Sequence, residues 1–387
     1  MWRYVIMKIK YFEYEDKNSE LKISRIYFSN LSLLVGASGV GKTLILEAIL
    51  DLKKIAQGKS LGGVEWEIQF VLGKEENYLW KGAFEKTELT EMDMYGDEDE
   101  TEIAIPRPKI IYEELFFKNQ IIAERKENEI KLKGQLTPKL SSYKSVINLF
   151  NEEEIISSVY DHFNKIIRSD DSNVIRIPIS EGFDFDKFLK KYSSPEHIQN
   201  APIPIYLKLA LAYKNSVQLF NTVKENFINV FNQVEDIKLE LLEARKLPFF
   251  FRIIPCLQIK EKNVSKWILY NKISSGMFKT LMQISQLFLC AESSVILIDE
   301  FENSLGINCI DTLTENLLDD NRDLQFIVTS HHPYIINAIG MEYWKIVSRT
   351  RGVISTKDAK EYKLGKSRHE AFKQLIQLND YRNGIKI

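Results

Sequence analysis

Apolar and polar residues alternate in short runs over residues 3–35, and this period of two predicts strands. The last run, Leu31-Ser32-Leu33-Leu34-Val35, is almost wholly apolar, as a buried strand requires. Leu44, Ile45, Ala48 and Ile49 then recur at helical spacing, so a strand passes to a helix across one short turn. Alternation returns over 64–72, and Tyr78-Leu79-Trp80 comes next as the second strand of a hairpin. Residues 85–102 are strongly acidic around Asp97-Glu98-Asp99-Glu100 and read as a solvated loop. Strand-like runs resume over 103–133, with Lys118-Asn119 and Lys126-Glu127-Asn128 as turns; together these runs predict an antiparallel β-subdomain. From 143 to 246 the period becomes helical, with breaks around 169–173 and 193–204. Within 206–246, Leu209, Tyr213, Val217, Phe220 and Val223 begin a stripe that runs on to Val234 and Ile237, which predicts a long amphipathic helix or a helix pair. It is too short for an extended coiled-coil arm. Residues 249–270 are β-rich again, and Val295-Ile296-Leu297-Ile298 and Gln325-Phe326-Ile327-Val328-Thr329 read as two further strands.

Composition narrows this only to an ordinary soluble globular chain: 387 residues, 44% hydrophobic, 27% charged. A net charge of −2 offers no whole-molecule argument for nucleic acid, although a local basic patch stays open. Cys256, Cys290 and Cys309 lie far apart in apolar surroundings and read as buried hydrophobes in a reducing compartment. The N-terminus has no signal-peptide pattern, and the longest apolar stretch, 247–259, is interrupted by Arg252 and too short to span a bilayer. A cytoplasmic protein with no membrane segment is expected.

The turn between the buried strand and the first helix carries the clearest chemistry. Gly36-Ala37-Ser38-Gly39-Val40-Gly41-Lys42-Thr43 is a complete G-x-x-x-x-G-K-[ST] phosphate loop. Its glycines let the backbone curl so that several N–H groups point into one anion nest at a helix N-terminus. Lys42 is the residue to reach the β- and γ-phosphates, and the Thr43 hydroxyl the one to ligate Mg²⁺. A glycine-rich turn that binds nothing is the bland alternative, and the flanking strand and helix weigh against it. The chain is expected to bind a nucleoside triphosphate, ATP, with Mg²⁺.

A second cluster lies beyond residue 273. The apolar run 295–298 ends in Asp299-Glu300, and the carboxyl end of a buried parallel strand is where α/β sheets place ligand-binding groups. Behind a phosphate loop, Asp299 is the candidate for the Mg²⁺ shell and Glu300 the candidate general base on water. Ser274-Ser275-Gly276 opens another amphipathic helix and, taken alone, is simply a helix cap. The run 325–330 ends in His331-His332-Pro333; His331 is the better candidate to bond a γ-phosphate and orient water, and either histidine could instead cap the next helix.

In this order (phosphate loop, Ser-Ser-Gly helix, Asp-Glu strand, histidine loop) the chain resembles ABC-type ATPases, in their soluble SMC- and OLD-like branch. The wording Ile-Asp-Glu-Phe-Glu-Asn-Ser-Leu-Gly and Thr-Ser-His-His-Pro resembles most the bacterial anti-phage defence ATPases of Septu, PARIS and retron systems. The resemblance covers 1–72 and 249–348. It implies that Ser274, Ser275 and Gly276 bind the nucleotide of an opposite subunit, that 301–306 stand in the place of the D-loop, and that His331 is the switch histidine. Two departures stand out: Ser-Ser-Gly-Met replaces Ser-Gly-Gly-Gln, and there is no clear Q-loop, Gln135 being the nearest candidate.

The expected fold is therefore α/β: an ABC-type P-loop head with an antiparallel β-subdomain and an inserted helical lobe. Its expected parts are an N-terminal ATPase lobe (1–142), a helical insertion (143–246), a C-terminal ATPase lobe (247–348) and a C-terminal tail (349–387). The resemblance further implies a head-to-tail nucleotide-sandwich dimer and an ATP-hydrolysing switch subunit that controls a separate effector, a nuclease or toxin encoded nearby. An SMC-like ATPase acting directly on DNA is the alternative; near-zero net charge and the missing coiled coil weigh against it.

Overall fold

The N-terminal alternation folds as β1 (Met7–Asp16), β2 (Leu21–Tyr27) and the wholly buried β3 (Leu31–Val35), and the helical spacing after it as α1 (Lys42–Ala56). The computed structural model describes residues 7–73, 76–87, 107–127, 129–169, 185–243, 253–303, 307–318, 322–365 and 367–384. The chain continues as β4 (Val64–Leu72), β5 (Glu76–Phe84), β6 (Ile110–Phe117), β7 (Gln120–Lys126), β8 (Glu129–Leu132) and β9 (Gln135–Leu136). Next come α2 (Val146–Leu149), α3 (Glu154–Asn164) and β10 (Ile166–Ser169), then α4 (Phe185–Lys191), α5 (Pro195–Asn200), α6 (Ile205–Asn215) and α7 (Val217–Val230). The later elements are β11 (Val234–Glu243), β12 (Ile253–Glu261), β13 (Ile268–Leu269), α8 (Ser275–Leu289), β14 (Val295–Ile298), α9 (Ile307–Leu318) and β15 (Gln325–Thr329). Finally come α10 (Pro333–Ile339), β16 (Trp344–Thr350), β17 (Val353–Asp358), α11 (Arg368–Leu375) and α12 (Asn379–Asn383). Most of the acidic stretch, and 304–306 of the segment in the place of the D-loop, lie outside the described residues.

The chain divides into two compact units. The first comprises Met1–Arg168, Ser293–Glu300 and Asp323–Ile387. Among the described residues its sheet has 14 strands in the order β10-β14-β15-β3-β16-β17-β2-β1-β4-β5-β6-β7-β8-β9. β14, β15, β3 and β16 run parallel to one another, whereas β2, β1 and β4 to β9 form an antiparallel meander that continues the same sheet. The Lys118-Asn119 turn is real, and both residues take positive φ, the conformation that joins two strands tightly. In β1 the buried positions step from Met7 and Ile9 to Phe12 and Tyr14, because a bulge opposite β4 shifts the register between Ile9 and Tyr11.

One contiguous core joins the two ends of this sheet: Phe12, Ile49, Trp66, Phe163, Leu297 and Ile327 all belong to it. Phe163 of α3 meets Trp80 edge-on at 5.2 Å and Phe70 at 5.4 Å between ring centroids. That contact seats the end of α3, from which β10 runs directly to the sheet edge beside β14.

A buried polar clamp ties the meander to α2. The Glu113 carboxylate accepts Trp80 Nε1–H at 2.9 Å and the Val146 backbone N–H at 2.8 Å, while Arg125 donates to the carbonyls of Ser141 and Lys144. Arg125 Nε stands 3.8 Å from Glu113 Oε2, an ion pair without a hydrogen bond. Burial therefore outweighs the attraction to Arg125 and pushes the Glu113 carboxyl up to about 7. The unfolded chain releases this proton near the ordinary carboxylate value, whereas the folded one holds it to about neutrality. Stability is then expected to fall as pH rises from about 4.5 to about 7, by on the order of 3 kcal/mol from this group, and to level off above. Denaturant titrations at pH 5 and pH 8 should show this slope in the wild type and its loss in Glu113→Gln, whatever the absolute stability of the variant.

The second unit comprises Ser169–Glu292 and Phe301–Arg322. Here the helical reading of 206–246 holds only to Val230, as the pair α6 and α7. Val234 and Ile237 lie instead on β11, which pairs antiparallel with β12. From Ile237 onward the residues Ile-Lys-Leu-Glu-Leu alternate, and the three-residue step from Val234 to Ile237 crosses a register shift that mimics helical spacing. β10 likewise interrupts the stretch read as helical. Tyr206 fastens α6 to β12, donating its hydroxyl to the Pro255 carbonyl at 2.5 Å and accepting the Leu257 N–H at 3.1 Å. Lys208 and Arg322 place cations on the last carbonyls of α8: Lys208 Nζ lies 3.4 Å from Leu289 O, and Arg322 donates to Cys290 O at 2.9 Å. Burial holds the Lys208 amine down at about 8. All three cysteines are buried thiols outside any disulfide, and among the described residues no helix is long and apolar enough to cross a membrane.

Candidate functional site

β3 delivers the chain into Gly36-Ala37-Ser38-Gly39-Val40-Gly41, and α1 begins at Lys42. Gly41 is the N-cap with φ 99°, a left-handed conformation that costs glycine nothing. A Cβ at this position would also lie 2.2 Å from Ile354 Cδ1 of β17, so the turn rests on that strand. No side chain caps α1, which leaves its first N–H groups to an anion. Lys42 Nζ donates to the carbonyls of Gly36 and Ala37, both at 2.9 Å, so the loop holds its own cation. The C-terminal segment supports the same turn: Gly384 accepts Arg349 N–H at 2.6 Å and lies against Val40, which a Cβ on it would meet at 2.3 Å.

The parallel strands bring a second set of groups to this turn. Ile298 pairs with Val328, and Thr329 pairs with Leu34 of β3, so the residues that end β14 and β15 arrive together at the carboxyl edge of the sheet. Asp299 Oδ1 accepts hydroxyl hydrogen bonds from Thr329 at 2.7 Å and from Thr43 at 3.2 Å. The Glu300 N–H donates to Thr329 Oγ1 at 2.8 Å. Glu300 is exposed and left-handed at φ 46°, a costly conformation for a residue with a side chain and one that collects at functional sites. Asp299 Oδ2 faces Arg168 of β10 at 3.4 Å, and the same guanidinium pairs with Glu47 of α1.

His331 is exposed just beyond β15, while His332 takes the N-cap of α10 and donates its N–H to Ser330 Oγ at 3.1 Å. Ser274 is the N-cap of α8, its hydroxyl accepting Met277 N–H at 3.2 Å; Ser275 is exposed in the first turn and Gly276 half-buried. These three residues belong to the second unit, whereas the phosphate loop, Asp299, Glu300 and His331 belong to the first. Gln135 is corrected as a Q-loop candidate: it lies exposed on β9, the far edge of the sheet, with nine strands between β9 and β3. Thr329, Glu47 and Arg168 escaped the sequence reading. A threonine directly before Ser330-His331 was the only local signal for the first, and nothing local marked the other two.

The set around Thr43 and Asp299 offers only oxygen donors, hydroxyl and carboxylate, the chemistry that suits Mg²⁺. With a cationic lysine in a glycine turn beside it, the arrangement fits a magnesium–triphosphate.

Residues 31–337 match the family described as "AAA domain, putative AbiEii toxin, Type IV TA system". No curated protein matches the chain. Among solved structures it is similar to an Smc head bound to the C-terminal winged-helix domain of ScpA, at 15% identity and TM-score 0.47, over 90% of this chain and 96% of that one. An Smc head with an extended coiled coil, bound to the C-terminal domain of ScpA derived from Pyrococcus furiosus, shares 14% identity at TM-score 0.46, over 92% and 98%. The SMC head domain from Thermotoga maritima shares 13% identity at TM-score 0.39, over 91% and 98%.

Proposed function

Because the chain belongs to this AAA-domain family, matched from the phosphate-loop strand to α10, we propose that it binds and hydrolyses ATP as the switch subunit of an anti-phage defence system. The observation that carries the ATPase reading is the meeting of Thr43, Thr329 and Asp299 at one carboxylate oxygen beside the phosphate loop. Lys42 exchanges the carbonyls of Gly36 and Ala37 for phosphate oxygens, and the N–H groups of the loop and the first turn of α1 orient them. Thr43 and Asp299 would hold Mg²⁺, which would neutralise charge on the phosphates. Glu300 takes the proton from water, and His331 orients that water.

By the resemblance to ABC-type ATPases, Ser274, Ser275 and Gly276 are proposed to complete the site of a second copy, with a head-to-tail dimer as the proposed working form. The defence role rests on the wording of 298–306 and 329–333. Among the described residues no group of three or more histidine, cysteine or acidic side chains could hold a further metal, and a separate nuclease or toxin is the proposed effector. ATP-driven closure releases or activates it through different affinity for the two states. Expressing the chain with and without its neighbouring genes, and measuring phage protection, tests this. Protection is expected only with the neighbours present, and a purified chain that protects or cleaves DNA alone sinks the switch reading.

A further inference from the structure

Arg168 takes no part in the proposed hydrolysis, yet it is wired to two of its components. It lies near the end of β10, and its guanidinium bridges Glu47 on the helix opened by the phosphate loop and Oδ2 of Asp299. β10 is itself pinned to that helix. Lys53 Nζ donates to the Ile166 carbonyl at 2.7 Å, and Gln57 Nε2 donates to Asn164 Oδ1, just ahead of the strand, at 2.8 Å. Arg168 is thereby held beside α1 and close to the carboxylate assigned to the metal.

Protein groups thus engage both oxygens of Asp299: Oδ1 accepts from two hydroxyls and Oδ2 faces a permanent cation. A divalent cation added at Asp299 alone would be placed beside a like charge in a half-buried site, where screening is weak. A triphosphate relieves this, because the arginine fork matches phosphate oxygens as well as it matches a carboxylate.

We propose that Arg168 is a positioning residue that makes metal binding conditional on nucleotide: it pairs with Asp299 and passes to the phosphates when ATP enters, freeing the carboxylate for Mg²⁺. The assignment rests on the ATP-binding reading. It predicts a large coupling between the two ligands, measured as the ratio of Mn²⁺ affinity with and without a non-hydrolysable ATP analogue. By reciprocity the same ratio appears in the analogue's affinity with and without metal.

The test follows Mn²⁺ binding by the loss of the free-ion EPR signal in the full chain. Arg168→Gln is expected to bind Mn²⁺ without nucleotide about tenfold more tightly than wild type, and to lose about tenfold of the coupling ratio. Arg168→Lys, which keeps the charge, should retain most of it. A merely structural role would weaken both ligands together and leave the ratio unchanged, and that result overturns the proposal. So does a coupling in Arg168→Lys as small as in Arg168→Gln. If wild-type protein binds no analogue at all, the ATP reading has failed, and this outcome is separate from an unchanged ratio.

Discussion

Lys42→Ala is expected to fold as the wild type does and to lose ATP binding, with Kd raised at least about a hundredfold. Lys42 Nζ donates to the Gly36 and Ala37 carbonyls at 2.9 Å, and neutral-acceptor bonds of this kind each contribute about 1 kcal/mol net. Against the β- and γ-phosphates both partners are charged and each bond contributes about 2.5 kcal/mol, so exchanging two carbonyls for two phosphate oxygens gains about 3 kcal/mol in binding. The mutation therefore removes far more from the bound state than from the fold. Calorimetric titration with Mg·ATP beside a thermal melt separates the two, and unchanged affinity in a folded variant would falsify the phosphate-loop assignment.

Glu300→Gln is expected to bind ATP normally and to hydrolyse it about 10²- to 10⁴-fold more slowly, the range lost with a general base. Glu300 is exposed, and its structural bond runs through its backbone N–H to Thr329, so glutamine keeps the local fold. With turnover blocked, a nucleotide-bound dimer should accumulate and elute early in size-exclusion chromatography with ATP. Wild-type phosphate release from this variant would place the base elsewhere, with Glu302, two residues on, the next to test. A slow variant that stays monomeric with ATP bound would keep Glu300 as the base and remove the sandwich.

Parts of the site that are local in the chain were legible without a structure. The phosphate loop supplies its N–H groups, lysine and threonine from eight consecutive residues, so its chemistry is written in one stretch. The buried runs of β3, β14 and β15 declare themselves by being mostly apolar, and β4 by an alternation, interrupted only at Val71, that its burial continues. Where two periods coincide the reading failed: Val234 and Ile237 continue a helical stripe in spacing, and only pairing with β12 makes them strand. Gln135 drew notice through its neighbours Leu136, Thr137 and Pro138, yet its place at the far edge of the sheet is a matter of strand order.

The sequence by itself determined the glycine turn at the head of α1, since such a nest is built from backbone torsions that nearby glycines permit. Tertiary structure alone decided which groups share the metal-side carboxylate. Thr43 and Asp299 are 256 residues apart and Arg168 and Asp299 are 131 apart. No periodicity reaches across such intervals. These side chains meet because β10, β14, β15 and β3 lie in that order, with Phe163 packed on Trp80 and Phe70 at the end of α3 from which β10 starts. Strand order is chosen by the burial of a whole core at once, and no short stretch of residues encodes it.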